Sequence, residues 1–315
     1  MKTNNNKFLI DIQVGITSGC AVYKAGKIIF AASEERYSRI KNDQAFPVNA
    51  IKNAVTYCRI NSNNIEKAIL ITQNMSPIHF IVQRECTFTI EDYIKEQYEY
   101  YMPTILQKKQ LNYLEIFKDK IDKRYLDLVN KINNSGDESH PEIWNSWRIR
   151  KVCQLLNIKE SKVVIENHEH SHASYAYYGS PFRGDDVLIV TMDGFGDKAN
   201  ASISHINKKD SIEFKKFHKN FNIGRIYRFM TLLLGMKPSE HEFKVMGLAP
   251  YATEYIYKKP LSIFRNAYKF DKSNGELIID KEMRDHFFYY QEKLKASRFD
   301  GIAGGLQIWA EGMIC

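Results

Sequence analysis

The apolar positions of this chain repeat in two ways. Short β-branched runs bounded by turn residues predict strands, and longer stretches with apolar residues three and four apart predict helices. Phe8 to Val14, Gly19 to Tyr23 and Lys27 to Ala32 read as an antiparallel meander, with Ala25-Gly26 as the hairpin turn. Pro47 suits the first turn of a helix over Val48 to Cys58. Ile65 to Thr72 is a further strand. From about Thr89 to Leu156 the chain is rich in Lys, Glu, Tyr and Leu, keeps helical spacing and breaks at Asn133-Asn134-Ser135-Gly136. This predicts a helical insertion whose aromatics are core. Val163 to Ile165 ends another strand. Val187 to Met192, Ala199 to Ile206 and Ile212 to Phe217 then repeat the meander. Phe221 to Leu234 has amphipathic helical spacing, closed by Gly235. Asp300 to Ile314 predicts a last helix. The class is α/β.

The candidate chemistry gathers between Val163 and Asp197. Asn167 can cap a helix with its side-chain oxygen. His168 and His172 follow at i and i+4, on one face of that helix. Neutral imidazoles so placed suit zinc or iron. His170 points about 200° away from His168. Pro181 stops the helix. The run from Val187 ends in Asp193-Gly194-Phe195-Gly196-Asp197, a glycine turn whose amides can approach a phosphate. His168-Glu169-His170-Ser171-His172 also matches H-E-x-x-H, the metallopeptidase helix with Glu as general base. The polar residues between the histidines, the cap just before them and the lack of a following Gly-x-x-His argue against that reading. The stretch Ser33 to Pro47, with Glu34, Glu35, Arg36, Arg39 and Lys41, reads as a charged loop, either a solvated face or the rim of a cleft. Met246 to Tyr251 reads as a tight, fixed backbone or a plain link between helices.

Composition narrows the class. The 315 residues are 44% hydrophobic and 26% charged, enough for one or two globular domains. No apolar run reaches membrane-helix length, and MKTNNNKFLI lacks a signal peptide's apolar region, so a cytoplasmic location is expected. Five cysteines (Cys20, Cys58, Cys86, Cys153, Cys315) form no C-x-x-C and fit reduced thiols. The net charge of +8 comes without an RNA-binding motif, so a basic proteome or anionic small substrates are preferred to nucleic acid.

The repeated meander, with Asp and Gly in its first turn, resembles the plan of the actin-like ATPase (ribonuclease-H-like) superfamily. Four segments resemble the NodU/CmcH family of O-carbamoyltransferases more closely. Ala31 to Pro47 is similar to E-E-R-F-x-R-x-K-H-D-x-x-F-P. His168 to Phe182 is similar to H-H-x-x-H-A-x-S-A-F-Y-x-S-P-F. Asp193 to Asp197 resembles D-G-x-G-D/E, and Glu242 to Tyr251 resembles E-Y-K-V-M-G-L-A-P-Y.

The resemblance implies a duplicated actin-like fold, with residues 1–185 as a first half carrying the insertion at about 89–156. Residues 186–315 would be a second, incomplete half, with a C-terminal YrdC-like domain absent. It implies a divalent metal on His168 and His172, iron first, with zinc or manganese as alternatives, and a downstream aspartate as third ligand. It implies ATP and carbamoyl phosphate as the source of carbamoyl-adenylate, made by the YrdC-like domain. The carbamoyl group then passes to a hydroxyl of a small molecule such as a sugar, an antibiotic or a Nod-factor-like acceptor. Asp193, Gly194, Gly196 and Asp197 would hold the nucleotide, and Lys41 and Lys244 would serve as catalytic residues for anionic or carbamoyl groups.

Three departures stand out. Gly15-Ile16-Thr17-Ser18 takes the place of the family's H-D-A-S, Glu169 replaces the second histidine, and the sequence ends at Cys315. The first and the last support a rival reading, a degenerate or truncated non-catalytic homologue that binds a partner, while Glu169 matters less because the metal pair is His168 and His172. A second half left open at its end also predicts incomplete burial of Leu306, Ile308 and Trp309.

Overall fold

A computed structural model of the chain describes residues 7–206, 211–271, 273 and 275–314, so Cys315 lies outside the described residues. The chain forms two compact units, one of Met1–Phe88 and Asn112–His172, the other of Thr89–Leu111 and Ala173–Cys315. The architecture is mixed α/β.

The first unit is built on a five-stranded sheet. Strands β1 (Phe8–Gln13), β2 (Gly19–Lys24) and β3 (Lys27–Ser33) form the expected antiparallel meander, while β4 (Ile65–Ile71) and β5 (Val163–Glu166) add in parallel, giving the order β3-β2-β1-β4-β5. The hairpin turn uses left-handed backbone at Ala25 (φ 49°) and Gly26 (φ 81°), which matches the strand twist. Alternation sends Phe8, Ile10 and Ile12 into the core, where the register sets Ile10 beside Val22 and Ala68. The Val48–Tyr57 helix covers that face with Ala50, Ile51 and Ala54.

The charged Ser33–Pro47 stretch has a structural task. Glu34 is 1% exposed, and its carboxylate accepts the backbone amides of Asn49 (3.2 Å) and Ala50 (2.8 Å). A carboxylate at a helix N-terminus satisfies orphan donors and meets the positive end of the dipole. Buried Asp43 accepts from the Arg124 guanidinium (3.3 Å), and its carbonyl accepts the Ser18 amide (3.1 Å). Every regular element described in the insertion is helical, including Leu126–Asn133 and His140–Leu156, with loops between them. Most of its aromatics are core, as expected, though Tyr98 is exposed: Trp144 stacks on Trp147 at 5.2 Å and on Phe80 at 5.6 Å.

The second unit repeats the meander as β6 (Val187–Met192), β7 (Ala201–Ile206) and β8 (Ile212–His218), all antiparallel. A helix, Ile223–Leu233, follows it just as Val48–Tyr57 follows the first. A hairpin of β9 (Tyr268–Asp271) and β10 (Glu276–Ile279) appears where a purely helical end is expected. Each strand has only four residues, too short to print a period. Glu242–Leu248 is a helix despite Gly247, and Ala249–Tyr251 extends it as a 3₁₀ turn.

The expectation of poor burial in the last helix is overturned for two of its three residues. Trp309 is 3% exposed, Leu306 is fully buried, and Ile308 is half-buried. The reason is local packing: Trp309 sits 5.9 Å from the Phe264 ring and 5.5 Å from Tyr268. The Phe299–Ile314 helix also presses on Glu254–Ala267 through glycines, since a Cβ on Gly305 would lie 2.7 Å from the Leu261 nitrogen.

One exposed apolar face of this unit lies on β6. Among the described residues β6 is an edge strand, and Leu188, Val190 and Met192 are 66%, 49% and 39% exposed. Open apolar edges recruit other chains. Val190→Lys is therefore expected to reduce concentration-dependent self-association, read by size-exclusion chromatography with light scattering. Unchanged association would mean that β6 is not the contact. Gly305→Ala is expected to destabilise: overpacking of about 1–3 kcal/mol exceeds the roughly 1 kcal/mol that alanine gains in a helix. Urea denaturation followed by tryptophan fluorescence checks this, and an unchanged midpoint would contradict the packing.

Candidate metal centre

The two candidate histidines lie at the mouth of the first unit's parallel strands. β5 ends at Glu166, and the His168–Tyr178 helix starts at once. The Asn167 side chain accepts the His170 amide at 3.0 Å, and its carbonyl accepts the Ser171 amide at 3.1 Å, so the predicted cap is present. One helical turn then brings His168 and His172 together, with their Nε2 atoms 3.0 Å apart and ring centroids 4.6 Å apart. His168 is half-buried and His172 exposed. His170 is directed elsewhere, with Nδ1 3.5 Å from the Glu166 carboxylate.

The far side of His168 is fixed by a residue the local sequence gives no hint of. Thr72 Oγ1 lies 3.0 Å from His168 Nδ1. If the hydroxyl accepts from Nδ1–H, the Nε2 lone pair is left for a ligand, the usual outer-shell arrangement for a metal-binding imidazole. Thr72 ends β4 in left-handed backbone (φ 73°), unusual for a β-branched residue. Three bonds hold it there: its amide to the Glu166 carbonyl (2.9 Å), its carbonyl from Arg148 Nη2 (2.6 Å), and the Ile71 carbonyl from Arg148 Nη1 (2.7 Å). Arg148 is 1% exposed, so a buried cation anchors the strand end beneath the histidines. The signal for Thr72 is its place at the carboxyl end of a parallel strand, where such sheets bind ligands. Glu169 is 3% exposed, and neither carboxylate oxygen has a hydrogen-bond partner.

In the second unit, Asp193–Asp197 forms the turn between β6 and β7. The Asp193 amide donates to the Asn200 carbonyl at 2.8 Å, and the Gly194 amide is taken by the Asp193 carboxylate at 2.6 Å. That amide is therefore already engaged. Asp197 and Gly196 are buried. Unpredicted neighbours lie close by. A Cβ on Gly224 would come within 3.4 Å of the Gly194 backbone. Asn200 bridges to the Asn222 side chain (2.8 Å) and to the Phe221 amide (3.1 Å), fastening the start of the Ile223–Leu233 helix to the turn. Asn222 makes no side-chain cap, so first-turn amides of this helix remain open to an anion beside the Arg225 charge. Behind it, burial and then Arg225 lower the His286 pKa to about 4, so His286 is neutral near pH 7. Its Nε2 lies 2.6 Å from the Tyr268 hydroxyl.

The two lysines are less constrained. Lys41 is exposed in the turn after the short Glu35–Ser38 helix of the first unit. Lys244 is exposed on Glu242–Leu248 of the second, with Nζ 5.9 Å from the Phe243 ring centre.

Residues 13–315 match a family model described as Carbamoyltransferase N-terminus. An uncharacterized protein of Synechocystis sp. is 26% identical over 236 residues, covering 74% of this chain and 33% of its own length. Nodulation protein NolNO of Sinorhizobium fredii is 24% identical over 234 residues, covering 74% of this chain and 27% of its own. This chain spans less than half the length of the curated relatives it matches, from 27% to 49%. Among solved structures, that of the Aquifex aeolicus PPX-GPPA enzyme covers 98% of this chain and 92% of its own at 12% identity, with a TM-score of 0.30, too low to assign a fold.

The geometry makes a graded forecast for metal retention. His168→Ala and His172→Ala are each expected to abolish it, His170→Ala to leave it intact, and Thr72→Val to weaken affinity about 10–100-fold through loss of the supporting hydroxyl. Metal analysis after dialysis against graded chelator reads all four. Equal loss in His170→Ala and His172→Ala would point to another ligand set.

Proposed function

The chain belongs to the family of carbamoyltransferase N-terminal domains, and from that premise we propose that it is the acceptor-site domain of a carbamoyltransferase built on an actin-like duplicated fold. The observation that carries this reading is the preorganised imidazole pair, His168 and His172, with Nε2 atoms 3.0 Å apart. Such a donor set fits a divalent metal: iron first, zinc or manganese as alternatives. A bound metal supplies Lewis acidity toward a carbamoyl carbonyl. Family membership also replaces the metallopeptidase reading of H-E-x-x-H.

The chain's own residues have separable tasks. His168 and His172 hold the metal, and Thr72 orients His168. The Asp193–Asp197 turn and the amides at the start of Ile223–Leu233 receive the phosphate of AMP or carbamoyl-adenylate, with Arg225 as counter-charge. Lys41 and Lys244 are the candidate cations for the carbamoyl donor. In the transfer itself, the acceptor hydroxyl oxygen bonds to the carbamoyl carbon, the bond from that carbon to the phosphate oxygen breaks, AMP leaves, and the hydroxyl proton is lost to a base.

One feature favours a second reading, a homologue that binds without transferring. Gly15-Ile16-Thr17-Ser18 supplies no imidazole or carboxylate, and its hydroxyls bond locally: Thr17 donates to the Ile16 carbonyl (2.6 Å), and Ser18 to that of Gly15 (3.0 Å).

Calorimetry with AMP and a transfer assay with pre-formed carbamoyl-adenylate separate the two. Both readings expect AMP to bind and Arg225→Gln to weaken it about ten-fold, the worth of one charge-assisted contact. Only the first expects carbamoyl transfer to a hydroxyl. Absence of AMP binding would contradict the nucleotide assignment altogether.

A further inference from the structure

A groove lies on the first unit, on the face of β1–β3 opposite the Val48–Tyr57 helix. It is an open groove of about 380 Å³. Ala21 and Ala31 leave the space, and Asp11, Gln13, Thr17 and Ser33 supply its polar atoms. Strand alternation explains the arrangement: Ile10 and Ile12 face the core, so Asp11 and Gln13 face outward beside Ala21 and Gly19.

The chemistry of the lining is one-sided. It holds a carboxylate, a carboxamide and two hydroxyls, and among the described residues no Lys, Arg or His. On the neighbouring strand Lys67 pairs with Leu9 in the register, but its Nζ donates to the Ser161 carbonyl at 2.9 Å and does not line the groove. The Thr17 hydroxyl spends its proton on the Ile16 carbonyl and so faces a ligand as an acceptor. Asp11 is exposed to solvent, yet the protein packed around its carboxyl raises the pKa to about 6, a shift only partly opposed by a bond to the Ile12 amide. A carboxylate in that position gains from a cation. A phosphate would meet the Asp11 negative charge and no cation among the described lining residues, with only the Gln13 amide and the Ser33 hydroxyl to donate to it.

We propose that this groove binds a polyhydroxylated small molecule bearing a primary ammonium group, with Asp11 pairing the ammonium and Gln13, Thr17 and Ser33 bonding its hydroxyls. The inference does not depend on carbamoyl transfer, because it rests on residues outside the histidine pair and the glycine turn.

Calorimetric titration of the full 315-residue chain with glucosamine and with glucose tests it, since the two differ by one amine. Glucosamine is expected to bind about ten-fold or more tightly than glucose, the scale of one charge-assisted hydrogen bond. Asp11→Asn, with its fold checked by circular dichroism, is expected to erase that preference. Gln13→Ala is expected to weaken both sugars alike, which guards against misfolding of a single variant. Inorganic phosphate is expected not to compete. The proposal is overturned if wild-type protein shows no preference for glucosamine, if Asp11→Asn keeps the preference, or if phosphate displaces the sugar.

Discussion

Two imidazole nitrogens 3.0 Å apart cannot both direct lone pairs at each other unless a proton or a cation lies between them. Helix geometry imposes the closeness of His168 and His172, and the Thr72 hydroxyl and Asn167 cap fix its direction. Either the Nε2–H of one neutral ring donating to the other ring, or a metal ion held between the two lone pairs, answers the constraint. The surrounding design serves that pair. Two parallel strands end side by side, a left-handed Thr72 closes one of them, and buried Arg148 takes two carbonyls that the strand end leaves over. Burying a guanidinium is costly unless it is hydrogen-bonded, and here its bonds tie the strand ends beneath the histidines.

Much of the fold was legible because it follows from local periodicity. Apolar runs bounded by turn residues placed both meanders, and the Ala25-Gly26 turn lies where it was expected. The helices Val48–Tyr57, Ile223–Leu233 and Phe299–Ile314 came within a residue or two of their expected bounds. What escaped was non-local or short. The β9–β10 hairpin has four-residue strands. Glu34 looked like part of a solvated charge run because its partners, Asn49 and Ala50, lie fifteen and sixteen residues on. Trp309 and Leu306 looked stranded because the hairpin and the glycine contact that cover them could not be seen.

The site divides in the same way. His168, His172 and the Asp193–Asp197 turn declare themselves by spacing. Thr72 and Arg148 depend on the register of β4 with β5, and Gly224 on how a helix meets a turn nearly thirty residues earlier. The glycine turn also behaves less simply than its composition suggests. Asp193 occupies the Gly194 amide, so in the proposed nucleotide site the helix start and Arg225 would carry more of the anion contact.

The account stands or falls on whether the histidine pair is a metal centre. X-ray absorption at the metal edge, on the chain loaded with ferrous iron or zinc, measures that directly. The account predicts a shell containing two imidazole nitrogens at about 2.0–2.1 Å for zinc, with the multiple-scattering features of histidine rings. An oxygen-only shell, or a spectrum unchanged by replacing both histidines, would contradict it.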